Sequence, residues 1–382
     1  MEIGDADNCL LKSPISNLKF QPPISNLEFQ IFMPPVTSPL KLVAIGGGTG
    51  LSTLLTGLKP YLNAGHRASD PPCRAIRLQT DLPFNYVELS LTAIVTVTDD
   101  GKSSGRLRSE FDVLPPGDIR NCLVALASDD RFMKNLFKHR FAGNGTLGGH
   151  SLGNLIIVAL AQMSDNFLTA IEKASEMLGC AARVLPSTLD SVDLEARLGE
   201  QMAYGQRAIK ALCVARGLPI RNLAVTPSSA RALPEAVNAI LEADLITLGP
   251  GSLFTSVIPN LLIEGIAEAI SQSKAKKIYI CNLMTEVDET DGLSPEAHVT
   301  ELLRACPTLK LDYAVFNSAP ISPSMRQLYA AEEAVLLEPP KATHFAFGDV
   351  QFACKPLASE ARSVRHNPAY LARAILEIYY NA

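Results

Sequence analysis

The chain has 382 residues, 47% hydrophobic and 19% charged, with a formal net charge of −5. A chain of that length buries a large core, in one big α/β domain or two smaller ones, with the composition of ordinary soluble globular proteins. An acidic balance with both signs mixed excludes non-specific nucleic-acid binding, which needs a basic face.

The start, Met1-Glu-Ile-Gly-Asp-Ala-Asp-Asn, is acidic and lacks the apolar core of a secretory signal. Pro14-Ile-Ser-Asn-Leu-Lys-Phe-Gln then recurs as Pro23-Ile-Ser-Asn-Leu-Glu-Phe-Gln, with prolines flanking both copies. A tandem pair this short builds no solenoid, so residues 1–39 read as a flexible extension, with a docking peptide as the sharper alternative. Residues 40–382 read as a single α/β domain.

The first ordered element is Lys41-Leu-Val-Ala-Ile-Gly-Gly-Gly-Thr-Gly50. Leu42 to Ile45 form a short buried strand, and the glycines let the backbone turn and approach a ligand closely. From Thr49 the period becomes helical, with Leu51, Leu54, Leu55 and Leu58 on one face. A strand, a glycine turn and a helix start gather free N–H groups and a positive dipole end, which suits an anion. The spacing is neither the dinucleotide Gly-x-Gly-x-x-Gly nor a P-loop, so the loop names an anion site and no cofactor.

Tyr61 to Ser90 is polar and dotted with proline, an excursion before a second strand over Leu91–Thr98. That strand delivers Thr96-Val-Thr-Asp-Asp-Gly-Lys-Ser-Ser-Gly105. Asp99 and Asp100 point different ways from an extended chain, one toward a ribose or base and the other toward a divalent metal. Ser103, Ser104 and Gly105 supply small donors for phosphate oxygens. Asp-Asp-Gly is equally an ordinary turn.

Between Asp118 and Leu178 the pattern is mostly helical, a cluster inserted after the second strand. In Pro115-Pro-Gly-Asp-Ile-Arg-Asn-Cys-Leu, Asp118 reads as an N-cap, and Arg120 and Asn121 lie in the first turn. Gly148-Gly-His-Ser-Leu-Gly-Asn-Leu opens another helix, with Ser151 or His150 as its cap and Asn154 weakening its first turn. No carboxylate partner for His150 is legible, so a packing histidine is its bland reading.

Further strands over Leu223–Thr226, Leu245–Leu248, Lys277–Cys281 and Tyr313–Phe316 alternate with helices over Ile258–Ile270, Pro295–Leu303 and Ser322–Tyr329. Such alternation predicts a mostly parallel sheet with helices on both faces. Gly249, Gly251 and Ser252 form a second glycine turn after Leu248, and Asn282 ends the next strand. In an open parallel sheet ligands bind beyond the carboxyl ends of the strands. The candidate site therefore gathers Gly46, Gly47, Gly48, Thr49, Gly50, Asp99, Asp100, Ser103, Ser104, Gly105, Asp118, Arg120, Asn121, His150, Asn154, Gly249, Gly251, Ser252 and Asn282. No catalytic residue is assigned among them. An NAD(P) enzyme is disfavoured, since an acidic residue is due about 20 positions after the loop and Asp99 comes far later.

The eight cysteines are scattered without a Cys-x-x-Cys, the pattern of reduced thiols. The longest apolar run, Leu155 to Ala161, is far too short to span a bilayer. A cytoplasmic protein without a membrane partner is the expectation.

In these motifs the chain resembles the YvcK family of gluconeogenesis factors, relatives of CofD, the 2-phospho-L-lactate transferase. The likeness rests on Ile45-Gly-Gly-Gly-Thr-Gly, Thr98-Asp-Asp-Gly-Lys-Ser-Ser-Gly-Arg-Leu-Arg, Pro115-Pro-Gly-Asp-Ile-Arg-Asn-Cys-Leu, Gly149-His-Ser-Leu-Gly-Asn and Gly249-Pro-Gly-Ser-Leu-Phe-Thr-Ser. It runs from about Lys41 to the Tyr313 strand and more weakly beyond. The resemblance implies a CofD-like Rossmann-type fold and a nucleotide-sugar ligand, a UDP-sugar, bound without catalysis. It also implies a role in balancing central carbon use against cell-wall synthesis and cell shape. The transferase branch moves a phospholactyl group from a guanosine diphospho-donor with Mg2+, and its paired aspartates line up with Asp99 and Asp100. A homo-oligomer is compatible with the resemblance. Phe254 stands where the family usually has Tyr, and Thr285-Glu-Val-Asp-Glu-Thr replaces Thr-Gln-Pro-Gly-Glu-Thr. Ala297 and Thr300 flank His298 where an acidic residue and often an arginine are usual.

Overall fold

The computed structural model describes residues 38–62, 87–217, 219–341 and 349–381. The tandem repeat and most of the Tyr61–Ser90 excursion lie outside the described residues. Twelve strands are described: β1 (Leu40–Gly46), β2 (Leu89–Val95), β3 (Arg183–Pro186), β4 (Asp193–Leu198), β5 (Gln201–Tyr204), β6 (Leu223–Thr226), β7 (Leu245–Leu248), β8 (Lys276–Ile280), β9 (Tyr313–Asn317), β10 (Gln351–Lys355), β11 (Ala358–Glu360) and β12 (Val364–His366).

Seven of them form one sheet in the order β10-β9-β8-β7-β1-β2-β3, every pair parallel. Leu42 to Gly46 are all buried, as a parallel strand covered on both faces requires. Strand order reverses at β1: the chain moves outward through β2 and β3, then returns to β7 on the other side. Ile45 pairs with Leu248 on one flank and Ile94 on the other, so three strands end level there. Two hydrogen bonds prolong the ladder past these ends, from Thr96 N to the Gly46 carbonyl (3.0 Å) and from Gly249 N to that of Ile45 (2.9 Å). This is the topological switch point, where a doubly wound sheet opens a crevice.

The helical cluster after β2 is present, with helices over Lys102–Phe111, Gly117–Leu126, Arg131–Lys138, Leu152–Gln162 and Phe167–Leu178. The Gly48–Leu58 helix buries Leu51, Leu54, Leu55 and Leu58, the face read from its spacing.

Two elements differ from expectation. Leu223–Thr226 is a strand, but of a separate antiparallel sheet ordered β5-β4-β6 and outside the main parallel one. Four residues of half-buried sequence carry no mark of which sheet they join. The helix expected over Ile258–Ile270 breaks into a wide π turn at Leu253–Val257, a single turn at Ile258–Leu261 and a helix at Ile266–Gln272. Pro259 supplies no N–H to the ladder, and Gly265 takes a left-handed φ of 101° between the last two pieces. Among the described residues no helix is long and apolar enough to cross a membrane.

Candidate functional site

Two glycine turns meet at the switch point. Gly48 needs its left-handed φ of 61° to start the helix there, a conformation costly for other residues. A Cβ on Gly47 would stand 2.6 Å from Asp118 Oδ2 and 2.8 Å from Thr96 Cγ2, so only glycine fits this approach. Across the crevice, Gly251 N donates to Asn282 Oδ1 at 3.3 Å, which holds the β7 turn beside the end of β8. Between the turns lies a pocket of about 250 Å³, lined by Gly47, Gly48, Thr49, Gly50, Gly251, Ser252 and Asn282. Thr53, Ser256, Glu286, Arg365 and His366 complete its wall.

A second cavity, of about 660 Å³, is lined by Asp99, Ser103, Ser104, Asp118, Arg120, Asn121 and Asn154. Asp99 Oδ1 accepts from Gly101 N at 2.8 Å, which fixes the turn after β2. Ser103 Oγ accepts from Asn154 Nδ2 at 3.0 Å and pairs with His150 Nδ1 at 3.1 Å, so the buried His150 braces the cavity from behind. Burial, then the nearby Arg106, pushes the His150 imidazole below its ordinary value. Arg120 is buried and donates to Ser151 Oγ and Asn121 Oδ1, both at 2.7 Å.

Asp118 lines the larger cavity and lies against the glycine loop. It was expected as an N-cap, but Pro116 holds the cap position and Asp118 lies one residue inside the helix. Its carboxylate instead faces the glycine loop and takes a backbone hydrogen bond from Gly48. Burial and then the charge of Asp99 push it up to about 7, while the Gly48 N–H and Arg120 pull the other way. Two carboxylates lining one cavity, one of them ready to hold a proton, is an arrangement that a cation or a hydrogen-bond donor relieves.

Other candidates lie behind the walls. Asp100 turns away: its Oδ2 accepts from Arg207 N at 3.2 Å, and its carboxylate pairs with the Arg207 side chain at 4.0 Å. Asp99 and Asp100 therefore do not face one metal together; Asp118 is the carboxylate beside Asp99. Gly46, Gly105 and Gly249 line neither space and serve backbone packing. Ser151 caps the Leu152–Gln162 helix by position only, since its hydroxyl donates to the Phe137 carbonyl at 2.9 Å.

The structure adds positive charges to these cavities that the candidate set did not include. Arg106, Arg140 and Arg207 reach the larger cavity, and Arg365 reaches the glycine pocket. Arg106 sits within the quoted Ser-Ser-Gly-Arg run and was open to notice. Arg207 follows the β4–β5 hairpin and Arg365 ends a short β11–β12 hairpin, and no local pattern marks either. His366 is pushed down to about 4 by burial, against a hydrogen bond with the Cys281 backbone. Its Nε2 is buried with no partner among the described residues.

Of the family departures, only the Thr285–Thr290 segment reaches the glycine pocket, through Thr285 and Glu286. Phe254 lines a different cavity, of about 520 Å³, with Cys213, Ile220 and Leu293. Ala297 and Thr300 lie on the Pro295–Ala305 helix and line none of these spaces.

The family of 2-phospho-L-lactate transferase CofD matches residues 42–346. A gluconeogenesis factor of Halalkalibacterium halodurans is 38% identical over 339 residues, covering 88% of this chain and 95% of the relative. The chain belongs to the gluconeogenesis-factor branch of the CofD-like family. Another gluconeogenesis factor, from Listeria innocua, is 36% identical over 342 residues, 89% of this chain and 96% of that one. A crystal structure of a UPF0052 family member from Bacillus halodurans superposes with a TM-score of 0.78 at 38% identity, covering 89% of this chain and all of that one. The CofD-like fold at its switch point is thus shared along nearly the whole length.

Proposed function

We propose that this gluconeogenesis-factor relative binds a nucleotide sugar, a UDP-sugar, and acts as a sensor without catalysis. The observation that carries this reading is Asp118, which lines a larger cavity of hydroxyl, amide and carboxylate groups and lies against the glycine loop of a pocket sized for phosphates. Backbone N–H groups and the Gly48–Leu58 helix dipole suit a diphosphate, and Arg365 adds a positive charge. Asp99, Asn121, Asn154 and Ser104 offer the mixed donors and acceptors that ribose and sugar hydroxyls need. His150, the one imidazole beside Ser103, is held in the wall by that serine. Ser103 and His150 make a hydroxyl–imidazole pair, but among the described residues no carboxylate hydrogen-bonds that imidazole to activate it. The physiological side of the proposal is a balance between central carbon use and cell-wall synthesis, with a consequence for cell shape. A cytoplasmic location follows from such a ligand.

Asp99 and Asp118 both line the larger cavity, where burial and then the Asp99 charge raise Asp118, so the pair fits a Mg2+ ion, whose charge would offset that repulsion. Magnesium is held through one or two carboxylates plus ligand phosphates, and when bound it would neutralise diphosphate charge. That same pair favours the second reading, a CofD-type transfer of a phospho-organic-acid group from a nucleoside diphosphate donor.

Isothermal titration with UDP-N-acetylglucosamine, UDP-glucose and GDP, with the nucleotide analysed afterwards, decides between them. One saturable binder recovered unchanged supports the sensor. No heat with any of them at millimolar concentration removes the ligand assignment. Release of nucleoside monophosphate from a phospholactyl guanosine diphospho-donor, with the phospho-organic-acid group found on an added acceptor, transfers the case to the second reading.

A further inference from the structure

A third cavity, of about 460 Å³, adjoins both spaces: it shares Arg120, Asn121 and Arg140 with the larger one and Thr53 with the glycine pocket. Its distinctive wall comes from the Arg131–Lys138 helix, where Lys134 and Lys138 stand one turn apart and so share a face. Ser52 and Thr56 stand one turn apart on the Gly48–Leu58 helix, on the same cavity. No carboxylate is among its described lining residues. The nearest acid on Lys134 is Asp129, at 3.5 Å, but Asp129 is 97% exposed and shared with Lys59 at 2.9 Å. An exposed pair of that kind is weak and yields to a better anion.

The buried end of this cavity shows an unmet need. Arg120 is 7% exposed, and its Nε has no partner among the described residues, although both terminal nitrogens are bonded. An unfilled donor on a buried guanidinium is costly, and an oxygen anion is its natural acceptor. Asn121 gives its Oδ1 to Arg120, so its amide N–H groups are left to donate. Arg140 and Arg120 repel each other, and the repulsion lowers Arg120 after burial does. The hydroxyls of Ser52 and Thr56 bond back to helix carbonyls at 3.0 and 2.7 Å, bonds weak enough to exchange for an anion.

We propose that this third cavity is a second anion site, which takes the phosphoryl group of a small phosphorylated metabolite on Lys134, Lys138, Arg140 and the Arg120–Asn121 pair. Its contact with the larger cavity through Arg120 and Asn121 makes it a place from which one ligand senses another. The phosphoryl group has two sources: a separate metabolite, or a phosphate of the main ligand that reaches across.

The test is calorimetric titration of the full chain with inorganic pyrophosphate. It is run in a Gly47→Ala background, where the added Cβ would stand 2.6 Å from Asp118 Oδ2 and crowd the glycine pocket that suits a diphosphate. Pyrophosphate still binds there, and adding Lys134→Gln with Lys138→Gln weakens that binding about tenfold or more. If Gly47→Ala does not fold, the same lysine pair in the otherwise unchanged chain removes one of two binding steps. Binding that is equal with and without the lysines overturns the site, as does no pyrophosphate binding at all. UDP-N-acetylglucosamine titrated into the lysine variant then separates the sources. An unchanged affinity assigns the site to a separate metabolite, and a parallel loss assigns it to the nucleotide's own phosphate. Failure of every nucleotide to bind, with lysine-dependent pyrophosphate binding intact, strikes the proposed function and leaves this site standing.

Discussion

Glu286 shows how one residue can set a pH response. It lines the glycine pocket, accepts the Ser252 hydroxyl, and stands where the family's usual residue is Gln. Burial, and then the charge of Glu289, pushes its carboxyl from 4.5 up to about 7. As pH rises from about 4.5, the unfolded chain loses this proton first and the folded chain keeps it until about 7. The folded state binds more protons across that window, so stability is fully present below it and falls as pH rises through it. Glu286→Gln keeps the shape without the charge. The urea midpoint of that variant is expected to decline less steeply between about 4.5 and 7 than that of the unchanged chain, with the slope from Asp118 remaining in both. Parallel slopes in the two proteins would contradict this account of Glu286. Asp118 gives the residue-scale lesson from the other side. Its motif was legible, yet its role was not, because a carboxylate at a helix start reads as a cap until the glycine loop is seen against it.

At the scale of elements, the glycine turn after β7 depends on segments far away in sequence. Glu289 has a fully buried side chain, pairs with Lys210 at 2.8 Å and accepts from Phe254 N at 3.1 Å. Gln206, on the same Gln206–Arg216 helix as Lys210, donates to the carbonyls of Thr98 and Thr255. One helix therefore clamps the loops after β2 and β7. Glu289→Ala leaves Lys210 and the Phe254 N–H unpaired, at a cost of about 3 kcal/mol in urea unfolding. A loss below about 0.5 kcal/mol, the scale of a surface change, would show that the clamp is not structural. The Gly48–Leu58 helix packs as closely on the C-terminal helix, Pro368–Asn381. A Cβ on Gly57 would come within 1.9 Å of the Pro368 carbonyl. Gly57→Ala is expected to cost about 2 kcal/mol through overpacking, read as a lowered melting temperature. An unchanged melting temperature would place the two helices farther apart.

Across the whole molecule, the legible parts were those whose signal is local. β1, β7 and β9 are buried runs of apolar residues bounded by glycine or polar turns, and such runs declare themselves. β3 did not, because four residues ending in Pro186 on the sheet's edge give neither length nor period. The β4–β5 hairpin and the short C-terminal strands were equally silent. The floor of the candidate site was legible for the same reason as β1: glycines and hydroxyls cluster where backbone must approach something. Its arginines and His366 were not, since Arg207, Arg365 and His366 arrive from elements that only tertiary structure brings to the switch point.

The central claim is that the glycine turn after β1 and the Asp99–Asp118 cavity together hold a nucleoside-diphosphate sugar. Gly47→Ala tests it most directly, because its Cβ would enter the junction 2.6 Å from Asp118 Oδ2. The measurement is calorimetric titration of UDP-N-acetylglucosamine into the unchanged chain and this variant, with folding checked by circular dichroism. The account predicts saturable binding to the unchanged chain and a loss of about tenfold or more in a folded variant. Equal affinity in both proteins would place the ligand elsewhere and contradict it.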